Sequence, residues 1–387
     1  MNKKELELYI HIPFCVRKCS YCDFLSAPAT EQTREAYMAA LFAEIGGRAK
    51  DYSDRTVTSI FIGGGTPSLL SGEQIGQLMD RIREQFAMAQ DAEITMEVNP
   101  GTASAEKLRN FYTAGINRLS IGMQSAQAEE LKNLGRIHDF EGFCQVYREA
   151  VEAGFTNINV DIMSGLPGQT LASYRDTLEK VLHLEPMPQH ISAYSLIVEE
   201  GTPFAAMAER GELPLPEEET ERAMYEETIE VLAKYGFHRY EISNYARDGY
   251  ECRHNVGYWI RRDYLGFGIG AASLIDNVRF QNEKSLGAYL AHPLESREEE
   301  QTLTVQDRME ETMFLGLRLT RGVSCVDFAE QYGRTVEEVY GEVIAWNVAD
   351  GLLTVTERKE NQKKDRLLAL TKRGLDLSNY VMAQFLF

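Results

Sequence analysis

Cys15, Cys19 and Cys22 stand within eight positions of one stretch, "HIPFCVRKCSYCDF". Three soft thiolates on one short turn are ligands for a soft metal centre. A structural zinc ion wants four ligands, usually as two short pairs. The distant candidates Cys252 and His254 would make five ligands in an irregular arrangement. A redox pair Cys19-x-x-Cys22 would leave Cys15 idle. A four-iron cluster suits three cysteines better. Three irons are held, and the fourth is left for a molecule that chelates through an amine and a carboxylate, as the methionine end of S-adenosylmethionine does. Arg17 and Lys18, between the cysteines, are expected to lower the thiol pKa values and offset the cluster's charge.

The elements that must carry this loop are legible by periodicity. Strand candidates are 8–13, 59–65, 93–98, 118–123, 157–163 and 190–196, alternating with helical patterns at 31–49, 72–86, 103–114, 140–153 and 170–183. That order is the signature of parallel strands joined by crossover helices, as an open sheet or a partial barrel. Both place ligands at the C-terminal strand ends. Strand 1 runs into the cysteine loop and strand 2 ends in Gly63-Gly64-Gly65-Thr66-Pro67. Glu97, Gln124 and Asp161 each close an apolar run, which turn chemistry does not explain. A shared site at one rim does.

The chain has 387 residues, 44% hydrophobic and 26% charged, with a formal net charge of −19. This length suggests one large domain and a smaller one. The acidic balance disfavours nucleic acid as a partner, because phosphate binding needs an excess of Lys and Arg. No apolar run reaches the length of a membrane span, and the charged start "MNKKELELYIHIP" carries no secretory signal, so a cytoplasmic protein is expected. Cys144 and Cys325 read as core thiols. The glutamate-rich segment after Pro216 reads as a solvated helix face, and the aromatic stretch around His254 as loop-like. Residues 276–301 read as a linker. The rest gives three helices, a short hairpin and a closing helix, a winged-helix-like order without the basic charge of a DNA reader.

The cysteine loop, the strand-2 glycines and the rim residues, in this order, resemble the radical S-adenosylmethionine superfamily, whose members hold a [4Fe-4S] cluster in this way. "LYIHIPFCVRKCSYCDF", "GGGTPS", "EVNP", "RLSIGMQS", "GRIHD", "NVDIMSGLPGQT" and "YEISNYA" resemble the HemN/HemW group of that superfamily along nearly the whole chain. The resemblance implies an α/β fold: a partial (β/α)6 barrel with its following segment over 1–275, the linker, and a smaller, mainly α-helical domain over 302–387. It implies cluster ligation by Cys15, Cys19 and Cys22. It also implies S-adenosylmethionine contacts at Tyr9, Tyr21, Gly64, Gly65, Thr66, Glu97, Gln124, Arg136 and Asp161, with Ser195 and Ala272 placed more loosely.

Two features separate the branches of the group. Its coproporphyrinogen III oxidases carry a further cysteine two positions after the third ligand, where this chain has Phe24, and a longer N-terminal arm. "HNVGYW" (254–259) resembles the H-N-x-x-Y-W motif of the group's haem chaperones. His254 is then the haem ligand, and Tyr258 and Trp259 pack against the porphyrin. A hydrogen-bonded structural histidine is the plain alternative. His11 and His138, near the cofactor residues, are further candidates for contact with either ligand. The resemblance thus implies a cytoplasmic haem chaperone delivering haem to respiratory haem proteins, with peripheral contact at the inner face of the membrane and a homodimer left open. The enzymatic alternative is an oxygen-independent coproporphyrinogen III oxidase.

Overall fold

In the computed structural model, which describes residues 4–295, 297–360 and 363–386, the first half alternates strand and helix. The order is β1 (Lys4–Ile12), α1 (Glu31–Arg48), β2 (Arg55–Gly64), α2 (Gly72–Gln85), β3 (Ala87–Val98), α3 (Ala105–Thr113) and β4 (Arg118–Gln124). Then follow α4 (Ala128–Asn133), α5 (Phe140–Ala153), β5 (Ile158–Ser164), α6 (Leu171–Leu182) and β6 (His190–Ser195). Helix starts follow side-chain chemistry. Thr30, Ser71, Ser104, Asp139 and Thr170 each accept a hydrogen bond from the backbone N–H three residues on, a cap worth about 1 kcal/mol.

The six strands pair in parallel and in sequence order. Each has two chemically distinct faces. Leu119, Ile121 and Met123 of β4, with Ile94, Met96 and Val98 of β3 and Ile158, Val160 and Ile162 of β5, form the apolar core. The alternate positions carry Arg118, Ser120 and Gln124, then Glu93, Thr95 and Glu97, then Asn159 and Asp161. With a side-chain period of two, these share the opposite face, the lumen of a partial barrel. The apolar faces drive folding while the inner face stays free for polar chemistry.

The chain continues as α7 (Pro203–Glu209), α8 (Glu218–Lys234), β7 (His238–Arg239), β8 (Asn244–Ala246), α9 (Arg253–Trp259), β9 (Tyr264–Phe267), β10 (Ala272–Ile275), β11 (Val278–Asn282), α10 (Leu286–Ala291) and β12 (Arg297–Thr302). β9 pairs in parallel with β1, and β10, β11 and β12 add antiparallel strands beyond it, while β8 and β7 extend the other edge. The stretch expected as a linker therefore supplies two strands and a helix to a 12-stranded sheet. Its β12, "REEEQT", is exposed throughout. Such a charged edge hides the strand from pattern reading and guards it against unwanted pairing. The loop expected around His254 is helix α9, too short to show a helical period.

The C-terminal domain holds α11 (Val305–Gly316), β13 (Val323–Ser324), α12 (Cys325–Tyr332), α13 (Val336–Ala349), β14 (Leu353–Glu360), β15 (Lys363–Leu370), α14 (Lys372–Asp376) and α15 (Ser378–Ala383). Its separate core includes Met313, Leu317, Phe328 and Leu368. The domain is tied to the barrel through Glu311 of α11, which pairs with Arg261 at 2.8 Å and Arg279 at 2.7 Å. Among the described residues, no helix is long and apolar enough to cross a membrane.

Candidate functional site

The loop after β1 carries Cys15, Cys19 and Cys22, all free and partly exposed. It is fixed from several sides. The Cys15 N–H donates to Ala27 O at 3.1 Å, the Ser20 N–H to Leu134 O at 3.0 Å, and Arg17 to Gly135 O at 2.5 Å. Lys18 Nζ donates to Phe24 O at 3.0 Å. Arg17 and Lys18 thus staple the loop as well as charging it. At Cys22 burial pushes the thiol pKa up, outweighing the lowering by Lys18. Among the described residues, no three His, Cys, Asp or Glu side chains converge on a single ion. Three thiols on one cleft wall, each able to take a separate iron, fit a [4Fe-4S] cluster.

That cleft, of about 480 Å³, is lined by the three cysteines and by Gly64, Gly65, Thr66, Glu97, Gln124, Arg136 and Asp161, together with Tyr21 and Ser195. Gly64 has φ of 106°, and a Cβ there would overlap the His11 ring. Only glycine fits against His11 in this backbone conformation. Thr66 Oγ1 lies 3.5 Å from Cys15 Sγ, and Arg136 Nη1 lies 3.8 Å from Cys19 Sγ. Arg136 Nη2 is held by Asn99 Oδ1 at 2.8 Å and Gly122 O at 2.6 Å. The guanidinium is therefore anchored beside the cysteines, where it can receive a carboxylate.

Glu97 accepts from the Gly64 N–H at 3.0 Å. Burial, then the nearby charge of Asp161, pushes its pKa up to about 8. Asp161 is also pushed up by burial, although Ser120 at 3.2 Å and Asn159 at 2.6 Å donate to it. Two buried carboxyls without a direct ion pair among the described residues suit a ligand bearing an amine and ribose hydroxyls. Gln124 has φ of 69°, a left-handed conformation rare outside glycine, and its Oε1 accepts from Tyr194 at 2.9 Å. Strain held by such a bond is common where a side chain must be aimed.

A second cavity, of about 560 Å³, shares Phe24, Gly64 and Glu97 with the first and is lined further by Tyr9, His11, Ala272, Trp259 and Arg279. The structure thus gathers every residue expected to meet the cluster or S-adenosylmethionine around two adjoining cavities, but not His254. His11 bonds Leu25 O at 2.8 Å and Tyr9 at 3.0 Å. His138 bonds Met123 O at 3.3 Å, and burial lowers its pKa to about 4. Cys144 and Cys325, expected in the core, are partly buried and pack against the edges of the two cores, whereas Cys252 is fully buried.

His254 stands apart. It is 1% exposed, with Nδ1 2.9 Å from Ser59 Oγ and Nε2 3.0 Å from Tyr258 Oη. Burial, then the charges of Arg118 and Arg262, lowers its pKa to about 3, so the ring is neutral. Both nitrogens are engaged, which is the arrangement of a structural histidine. Gly257 explains the close packing, since a Cβ there would overlap the Glu7 carboxylate of β1. Sequence reading missed Arg118, Asn99 and Tyr194. The alternation of Arg118, Ser120, Gly122 and Gln124 with the apolar residues of "RLSIGMQ" was the available signal, because it sets Arg118 on the same face as Gln124.

Residues 9–181 match the family model of the radical SAM superfamily, and residues 303–377 match that of the HemN C-terminal domain. The chain is 38% identical to the heme chaperone HemW of Bacillus subtilis, covering 98% of both chains. It is 36% identical to the HemW of Lactococcus lactis, covering 100% of this chain and 98% of the relative. Against the HemW of Escherichia coli it is 42% identical over 69% of both chains. Among solved structures, the coproporphyrinogen III oxidase HemN of Escherichia coli, a radical SAM enzyme, superposes with a TM-score of 0.85 at 28% identity, covering 99% of this chain and 90% of that one.

Proposed function

The chain belongs to the HemW family of the radical SAM superfamily, and from that premise we propose that it is a haem chaperone. Cys15, Cys19 and Cys22 hold a [4Fe-4S] cluster whose open iron takes the amine and carboxylate of S-adenosylmethionine. Arg136 receives that carboxylate. Glu97, Gln124 and Asp161 bind the amine and the ribose side, and Gly64 and Gly65 let the backbone approach. The cluster with S-adenosylmethionine supplies one-electron chemistry when bound. The cargo is haem, passed to respiratory haem proteins at the membrane. The reading rests on the HemW relatives that match along the full chain, and the expected cofactor residues gathered around one cleft agree with it.

His254 serves as the iron ligand on one condition. Its ring is sealed beneath α9, so ligation requires α9 to withdraw from β1 and β2 and one of the two ring hydrogen bonds to break. The test is an anaerobic haem titration of cluster-reconstituted protein, followed at the Soret band, for the native chain and His254→Ala. Saturable binding that weakens at least tenfold in the variant supports this reading. Equal binding by both proteins removes His254 from the haem site. No binding by either overturns the chaperone and turns attention to anaerobic oxidation of coproporphyrinogen, the activity of the HemN relative.

A further inference from the structure

Arg118 begins β4 on the lumen side of the barrel and is 2% exposed. Among the described residues, its guanidinium has no hydrogen bond, no ion pair within 4.0 Å and no aromatic face beneath it; Nε in particular is buried without a partner. A buried, permanently charged group in this state is costly, because lost hydration is not replaced. The side chain nevertheless lines the 480 Å³ cleft, where Ser120, Asn159, Ser192 and Asn255 stand around the same chamber. Asn255 comes from α9, next to His254. Glu93 and Asp161 favour the charge of Arg118 through space, but among the described residues neither makes an ion pair or hydrogen bond with it. Glu93 is occupied by the backbone N–H groups of Arg253 and His254, both at 3.2 Å, and Asp161 by Ser120 and Asn159.

We infer that Arg118, with the amides and hydroxyls around it, is a subsite for a carboxylate of the ligand that enters the barrel, and that this carboxylate is a tetrapyrrole propionate. The inference rests on the chaperone reading for the identity of the cargo. A planar guanidinium with free N–H groups is matched by a carboxylate. S-adenosylmethionine carries one too, but its place is beside the cysteines, where Arg136 is anchored on Gly122. Gly122 lies four residues further along β4 than Arg118, about 13 Å at ~3.3 Å per residue. With Arg136 given to the cofactor's carboxylate, the deeper arginine is left for a second acidic molecule. A haem whose iron reaches His254 places a propionate in this chamber.

The test compares haem with haem dimethyl ester, in which both propionates are blocked, by anaerobic Soret titration of cluster-reconstituted native protein, Arg118→Gln and Arg118→Lys. Native protein is expected to bind haem at least about tenfold more tightly than the ester, the scale of one charge-assisted hydrogen bond. Arg118→Gln should abolish that preference, Arg118→Lys should keep part of it, and S-adenosylmethionine affinity should be unchanged in both. Equal binding of haem and ester by the native protein overturns the subsite while leaving the chaperone intact, and this comparison needs no variant to fold. A preference that survives in Arg118→Gln also overturns it. So does a parallel loss of S-adenosylmethionine affinity, which would make the carboxylate that of the cofactor. Failure of native protein to bind haem at all overturns the chaperone reading itself.

Discussion

The rim and the floor of the barrel hold the same kinds of side chain and treat them in opposite ways. At the rim, Cys15, Cys19 and Cys22 are free and partly exposed, Gly64 and Gly65 leave space, and Arg136 is anchored with one face toward the cysteines. At the floor, His254 is sealed under α9 with both nitrogens engaged, whereas Arg118 lines the cleft with no hydrogen-bond partner among the described residues. The rim can accept a ligand as it stands. The floor must first open, or receive a ligand that finishes what the fold has left undone. A chaperone has reason to separate these properties. Cofactor sites gain from preorganisation, whereas a cargo site that must also release its cargo gains from an element that can close over it.

The strongest way to break this contrast is at the rim. Cys19→Ser is expected to reduce reconstituted iron and the broad charge-transfer absorbance of the cluster to background, read by iron analysis and visible spectroscopy. If iron stays at native levels, the three-cysteine assignment falls.

Next comes the packing of α9. Gly257→Ala forces a methyl group against the buried Glu7 carboxylate. It should destabilise the protein by about 1–3 kcal/mol, as overpacking usually does, with haem association faster than in the native chain. Lower stability without faster association would show that α9 does not gate the floor.

A smaller effect concerns pH. Burial raises both Glu7 and Glu97 to about 8 from an ordinary 4.5. Between these values the folded chain keeps protons that the unfolded chain has lost. Their contribution to stability is therefore full below about pH 4.5 and is lost as pH rises to about 8. Denaturant unfolding of the cluster-free protein between pH 5 and 8.5 should show this decline, made shallower by Glu97→Gln, with the steepness limited to about 1.4 kcal/mol per proton per pH unit. An unchanged slope in Glu97→Gln would place the coupling elsewhere. The smallest effect is expected from Tyr258→Phe, which removes the hydroxyl beside His254 Nε2 and little volume. Haem affinity should rise about two- to fivefold, the scale of one neutral hydrogen bond; a fall would make Tyr258 part of the haem site itself.

Much of this architecture was readable in advance. Helix 140–153 falls where its period placed it, and each of the six parallel strands lies within a few residues of its apolar run. These strands bury one face against helices, and the resulting alternation is a local property of the chain. The cysteine triplet and the residues closing each strand were readable because the fold rule puts strand ends together whatever the details of packing. β12 was not, since a charged edge strand has no buried face to announce it, and β11 was not, since its five residues bury only Phe280 and Asn282. Nor was α9, where seven residues cannot establish a period.

The sequence by itself determined which residues could meet at the rim, because strand order and a side-chain period of two bring Glu97, Gln124 and Asp161 to one end of one face. Only the tertiary structure decided the state of the groups on that face. His254 reads as a ligand and Arg118 is passed over, yet the first is satisfied from two directions and the second has no hydrogen-bond partner among the described residues. That difference depends on how closely α9 packs over β1 and β2, and on which hydroxyls and carboxylates distant segments bring within reach. Hydrogen bonds are lost over fractions of an ångström, and no pattern along the chain carries distances of that kind.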